Sequence, residues 1–279
     1  MSKKKGIILS VVILVIGLFY YIGTEDQSGQ FNSSRKLAFE DTGDFKIVYG
    51  EAKNSVYVEY NELLKNSHAF ENLVIFLNSV FILRKDFPII IRQCDTVNAW
   101  YDTEKEEIVL CDELFESFTQ NFSYIVNTKE ELDKAVDGAT VFILYHELGH
   151  GLIDIYNLTY SGNEEDVADQ MASIILTGLG EDGPKVAITG ANYFYITSSE
   201  IGPGYAFWDE HALNQQRYYN ILCWVYGSNP ERFNYFVGTY GLPQERAERC
   251  QYEYGNMYKF WDAALAPYVK AQTKPGINE

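Results

Sequence analysis

The sequence predicts an α+β fold, a small antiparallel or mixed sheet with an edge hairpin, packed on one long helix and followed by C-terminal helices. Three observations predict it. Strand-like runs are confined to residues 45–49 and 88–111, whereas helical apolar spacing takes up most of the chain beyond Asp112. The long helix is the one that carries His146-Glu147-Leu148-Gly149-His150. Hydrophobic residues make up 47% of 279, with 22 Tyr and 17 Phe, enough to bury a sizeable core and to exclude global disorder.

Residues 1–36 are expected to stand apart from that fold. Lys3-Lys4-Lys5 precede an uncharged apolar run from Gly6 to Ile22, so residues 1–22 read as a signal peptide or an N-terminal membrane anchor. Lysines stay on the cytoplasmic side, which places the rest outside the cytoplasm, in the periplasm or at the cell surface. Tyr20-Tyr21-Ile22-Gly23 has no small-x-small pattern, which favours a membrane-anchored protein over a secreted one. Residues 23–36 then form a linker, 37–272 the folded domain and 273–279 a tail. The net charge of −17, from 22 basic and 39 acidic residues, repels polyanions, so nucleic acid is not an expected partner.

Within the domain, Phe45–Tyr49 reads as a strand. Asn61–Leu83 reads as one helix, with Phe70, Leu73, Leu77, Val80 and Phe81 three and four apart. Pro88–Cys94 and Glu106–Cys111 are strand-like, and a turn centred on Asp102-Thr103 makes them a hairpin. That centre pairs residues whose numbers sum to 205, which sets Cys94 against Cys111. A helix begins near Asp112. The next runs from about Lys129 or Ala135 through the two histidines to Tyr156. After a loop at Asn157–Gly162 a helix spans Asn163–Gly178, and Gly178-Leu179-Gly180-Glu181-Asp182-Gly183-Pro184 breaks the chain. Helical patterns over Phe207–Tyr226 and Pro243–Leu265 close it. Cys94–Cys111 and Cys223–Cys250, the second across the two C-terminal helices, are the disulfides this layout favours in an oxidising compartment; four buried thiols are the alternative.

The chemistry centres on His146 and His150. Residues four apart lie about 40° from one another around a helix, so both imidazoles can share one metal ion. Glu147 sits beside that ion, where a general base for an activated water belongs. Two of the four histidines in the chain fall in this pentapeptide. Catalytic zinc takes three protein ligands, and the next helix opens on Glu164-Glu165-Asp166-Val167-Ala168-Asp169. Glu165 and Asp169 share its apolar side, where a carboxylate is costly unless paired or metal-bound. Glu165 is therefore the expected third ligand of one Zn2+, with Asp169 bonding the outer nitrogen of a histidine. Glu164 and Asp166 fit a solvated helix start. Gly149 and Gly151, unfavourable in a helix by about 1 kcal/mol each, point to close approach of another backbone.

His146-Glu147-x-x-His150 followed by Glu165-x-x-x-Asp169 resembles the gluzincin metallopeptidases, the thermolysin-like clan. The resemblance implies a zincin-like fold and a peptide or protein substrate. Asn98-Ala99-Trp100-Tyr101 is similar to the segment that forms their substrate-binding edge strand, which implies that Asn98 and Ala99 hold substrate backbone. It also implies an oxyanion donor on a C-terminal element, for which His211 is the candidate and Tyr205 and Tyr219 the alternatives. No long C-terminal helical domain of the thermolysin type is evident, so cleft shape does not transfer. More closely, residues from about Phe45 to Leu265 resemble a bacterial domain family of metallopeptidases without an assigned substrate. The shared features are the cysteine-flanked hairpin, Tyr145–His150, Phe207–His211 and Asn220–Gly227. The implied activity is zinc-dependent hydrolysis of a peptide bond with Glu147 as base. Its rivals are a membrane-tethered peptide-binding module with structural zinc or lost catalysis, and a metal-dependent cell-wall amidase.

Overall fold

The computed structural model describes residues 37–198, 213–239 and 241–270. The expected leader at 1–36, the tail at 273–279, Tyr205 and His211 lie outside the described residues. The first strand, β1, is Phe45–Tyr49. Two helices follow it, α1 (Ser55–Ser67) and α2 (Ala69–Val80), where the sequence predicts one helix over Asn61–Leu83. The break is a single left-handed residue, His68, at φ 57°. Ser67 explains it, because its hydroxyl donates to Leu64 O and accepts from Ala69 N. Such local bonds compete with the helical ladder, and an apolar period running on across one flipped residue does not reveal it.

The remaining strands are β2 (Phe87–Arg92), β3 (Ala99–Asp102) and β4 (Glu107–Cys111). They form a four-stranded mixed sheet in the order β1-β2-β4-β3. β2 runs parallel to both β1 and β4, and only β3–β4 is antiparallel. The hairpin is thus β3–β4, not the expected pairing of 88–94 with 106–111. Its register pairs Ala99 with Leu110 and Asp102 with Glu107, so Cys111 faces Asn98, whose carbonyl accepts from Cys111 N at 3.1 Å. The turn sits further along than predicted because the Asp102 carboxylate caps the N–H groups of Glu104 and Lys105, both at 3.1 Å. Cys94 nevertheless bonds Cys111, with Cα atoms 5.4 Å apart. The parallel register sets Arg92 opposite Cys111, and two residues later the chain reaches the thiol.

Helix α3 (Asp112–Ser123) leads to α4 (Lys129–Ile155), which starts at the earlier of the two expected points. A reciprocal cap fixes that start: Thr128 Oγ1 accepts from Glu131 N, and Glu131 accepts from Thr128 N. α4 lies against β3 and β4 and packs on α5 (Glu164–Gly178). An unpredicted helix, α6 (Gly183–Thr197), packs on α4, α5 and α7 (Asn214–Ser228). Pro184 at the start of α6 is a helix opener, which the surrounding glycines disguise as part of a break. The short turn α8 (Phe236–Thr239) leads into α9 (Gln244–Leu265), and a 3-10 turn over Ala266–Tyr268 follows. Cys223–Cys250 ties α7 to α9 as expected, with Cα atoms 5.1 Å apart.

One apolar core runs from Phe45 to Val269 and joins the sheet to α2, α4, α5, α7 and α9. Ile89, Ile91, Ile108 and Leu110 are sealed at its centre. None of the described helices is long and apolar enough to cross a membrane.

Candidate metal centre

The site is built where α4 and α5 meet. Gly149 makes that meeting possible: a Cβ there would stand 3.0 Å from Ala168 Cα on α5. This is the close backbone approach the sequence predicts. Gly151 differs, since the atoms nearest to its missing Cβ belong to the rings of Phe87 and Tyr101. It lets α4 settle on the sheet at the residue next to His150. The Tyr101 hydroxyl donates to Asp154 on α4 at 2.7 Å, which ties edge strand β3, with Ala99 at its start and Asn98 before it, to the same helix.

The α5 helix begins at an Asn163 cap, whose side-chain oxygen accepts from Glu165 N at 3.0 Å. The first turn of α5 then meets both histidines. Glu165 Oε2 lies 3.1 Å from His146 Nε2, and Glu165 Oε1 lies 3.3 Å from His150 Nε2. One ligand atom from each of His146, His150 and Glu165 falls within 4.8 Å of the other two. On the far side of the rings, His146 Nδ1 is 2.8 Å from Asp169 Oδ1, and His150 Nδ1 is 2.8 Å from Glu164 Oε1. Each imidazole is thus gripped at Nδ1 by a carboxylate and turns Nε2 toward Glu165, the arrangement that fixes tautomer and ring orientation for a metal ligand. Two imidazole nitrogens and a carboxylate oxygen form a donor set that suits zinc.

Two of these contacts escaped the sequence reading. Glu164 is not merely a solvated helix start: it bonds His150 and accepts a hydrogen bond from the Tyr160 hydroxyl. Tyr160 four residues upstream was the available signal. Arg217 on α7 is the larger omission. Its Nε and Nη2 donate to the two oxygens of Asp169, both at 2.7 Å, and its guanidinium lies 3.8 Å above the Phe194 ring of α6. Nothing near Arg217 in sequence announces this; the demand comes from Asp169, a carboxylate on an apolar helix side.

Burial sets the electrostatics. His146, Glu147, Asp169 and Arg217 are only 4, 7, 2 and 6% exposed, so every charge among them needs a partner. Burial opposes charge on His146, but Asp169 and then Glu165 overcome it and lift its pKa to about 9. Burial also opposes charge on Asp169, yet Arg217 and His146 hold it well below the usual carboxylate range. Glu165 is depressed likewise, against burial, by its hydrogen bonds with both histidines. Glu147 goes the other way: burial raises it, with partial relief from His146 and His150.

A family model described as "Putative metallopeptidase" matches residues 49–265. The chain belongs to that family. The match runs from the end of β1 to the end of α9 and takes in the whole α4–α5 junction, so the three donor residues of this metallopeptidase family member lie inside it. No curated protein matches the chain, and no solved structure does. Of the other expected site residues, Tyr219 lines an open cleft beside α5 together with Asp166.

Proposed function

We propose that the protein is a zinc peptidase with a gluzincin-like site on a zincin-like fold. The observation that carries this reading is the convergence of His146 Nε2, His150 Nε2 and the Glu165 carboxylate beside buried Glu147. His146, His150 and Glu165 would hold the ion; zinc bound there supplies a Lewis acid in a site shielded from bulk water. Asp169 and Glu164 orient the two imidazoles, and Arg217 keeps Asp169 ionised. Glu147 takes a proton from the attacking water and returns it to the leaving amine. Its burial, which raises its proton affinity, suits that exchange. An extended peptide adds to the free edge of β3, with Asn98 and Ala99 meeting its backbone. A donor on a C-terminal element, His211 or Tyr219, meets the oxyanion. The protein is anchored by residues 1–22 and works outside the cytoplasm, or is secreted if that segment is cleaved. Glu147 weighs against a purely structural zinc, which has no use for a buried carboxylate beside its ligands.

Glu147→Gln tests the assignment. The variant should bind zinc like the parent and hydrolyse an unbiased peptide library about 10²- to 10⁴-fold more slowly. Parental hydrolysis by this variant refutes the role of Glu147.

A further inference from the structure

Ahead of the histidines, α4 forms one wall of a pocket of about 20 Å³ whose other walls are α1, α2 and α3, and no metal donor lines it. The walls are apolar and aromatic, with Phe70 beside Tyr60 and Phe115, whose ring centroids lie 5.4 Å apart. Three polar side chains break that lining: Tyr60, Asp137 and Thr140. None of the three has a hydrogen-bond partner among the described residues. Thr140 is only 8% exposed, and a polar group so buried is seldom left unsatisfied. Tyr60 and Asp137 are part-exposed while the rest of the lining is buried, so the mouth lies between them and Thr140 lies within. Asp137 lacks a counter-charge of its own, since Lys129 is held by Asp133 at 2.6 Å. Burial and then Asp133 raise its pKa to about 7, and Asp112 and Asp133 add to the negative field at Tyr60.

We propose that this pocket binds a primary ammonium group, the head of an alkylamine or of a lysine side chain, at a site separate from the metal centre and independent of the peptidase reading. The space admits one group the size of a water molecule, which an ammonium head matches. Its three N–H donors meet three unpartnered acceptors, the Asp137 carboxylate and the hydroxyl oxygens of Tyr60 and Thr140. The rings of Tyr60, Phe70 and Phe115 favour a cation over a neutral group. A water in the same place satisfies hydrogen bonds but leaves the charge of Asp137 without a counter-charge. The alkyl tail leaves through the mouth between Tyr60 and Asp137.

The test titrates the full-length protein with n-butylammonium by calorimetry, with n-butanol as the uncharged analogue of the same chain length. The amine should bind saturably, and the alcohol at least about tenfold more weakly. Asp137→Asn keeps the shape of the side chain and leaves the metal donors untouched; it should weaken the amine about tenfold or more, and Thr140→Val about fivefold. Thermal denaturation of each variant shows that it is folded, and a Thr140 methyl resonance that shifts in step with the heat places the amine in this pocket. N-acetyl-lysine methylamide separates the two sources: tighter binding than n-butylammonium assigns the site to lysine side chains, weaker binding to small amines, and either supports it. No saturable heat, equal binding of amine and alcohol, or unchanged affinity in Asp137→Asn overturns the proposal and leaves a site for water only. None of these outcomes bears on the peptidase reading.

Discussion

His146 and His150 are both held at Nδ1 by carboxylates, and those carboxylates are unequal. Asp169 is sealed and clamped by Arg217, whereas the Glu164 side chain is 38% exposed and, apart from His150, is held among the described residues by Tyr160 alone. Glu165→Ala should therefore abolish tight zinc binding. Asp169→Ala should weaken it by about 10- to 100-fold, and Glu164→Ala by a smaller factor toward the low end of that range. Competition with a chromogenic chelator measures all three; parental affinity in Glu164→Ala would mean that its contact with His150 is idle. The sequence carries His146, Glu147, His150, Glu165 and Asp169, because helical spacing of four residues is a local signal. Arg217 is 48 residues from Asp169, and no local pattern spans that distance. The contact of Glu164 with His150 is not legible in sequence, because its direction depends on where α5 begins, a matter of one residue at the Asn163 cap.

At the scale of elements, the contact between α4 and α5 is set by a missing side chain. Alanine is a better helix former than glycine by about 1 kcal/mol, yet Gly149→Ala should destabilise the protein, because the new methyl would meet the Ala168 Cα at 3.0 Å. It should also weaken zinc binding by prising Glu165 away from the histidines. Gly255, within α9, has nothing within 4 Å of a built Cβ, and Gly255→Ala should stabilise by up to about 1 kcal/mol. Thermal denaturation of the two variants checks both signs; a stabilised Gly149→Ala would show that the helices have room to spare. Most helices were legible from apolar period and caps. The order of strands was not, because a turn predicts which residues reverse but not which strand lies between them. Helix α6 was lost for a different reason, since Gly183-Pro184 is both a break and a beginning.

At the scale of the whole molecule, α+β composition, a small sheet and both disulfides were legible, whereas the strands that make up the hairpin were not. Apolar runs and cysteine positions are distributed properties that survive local errors of register. The stability profile against pH was not legible, since it depends on burial. Asp137 on α4 has its pKa raised to about 7 by burial and by Asp133, against a usual value of 3.8. A carboxyl whose folded pKa stands above its unfolded one stabilises the fold while protonated. That contribution is complete below about pH 4 and is lost as pH rises through about 7. Asp137→Asn should therefore gain melting temperature relative to the parent at pH 8 and gain less at pH 5. An equal difference at the two values would mean that Asp137 titrates normally.

The placement of β4 between β2 and β3 imposes an order of events on the folding chain. The β3–β4 hairpin closes over four intervening residues, a contact that forms on the microsecond scale. Because the hairpin contact is local and the β2–β4 contact spans more chain, we expect the hairpin to form first and to dock on β2 as a finished unit. The parallel register at Arg92 is what brings Cys94 to Cys111 in the folded sheet. The β3–β4 hairpin is therefore the last piece of the sheet to be secured, and oxidation of this pair in a refolding time course should lag behind acquisition of secondary structure.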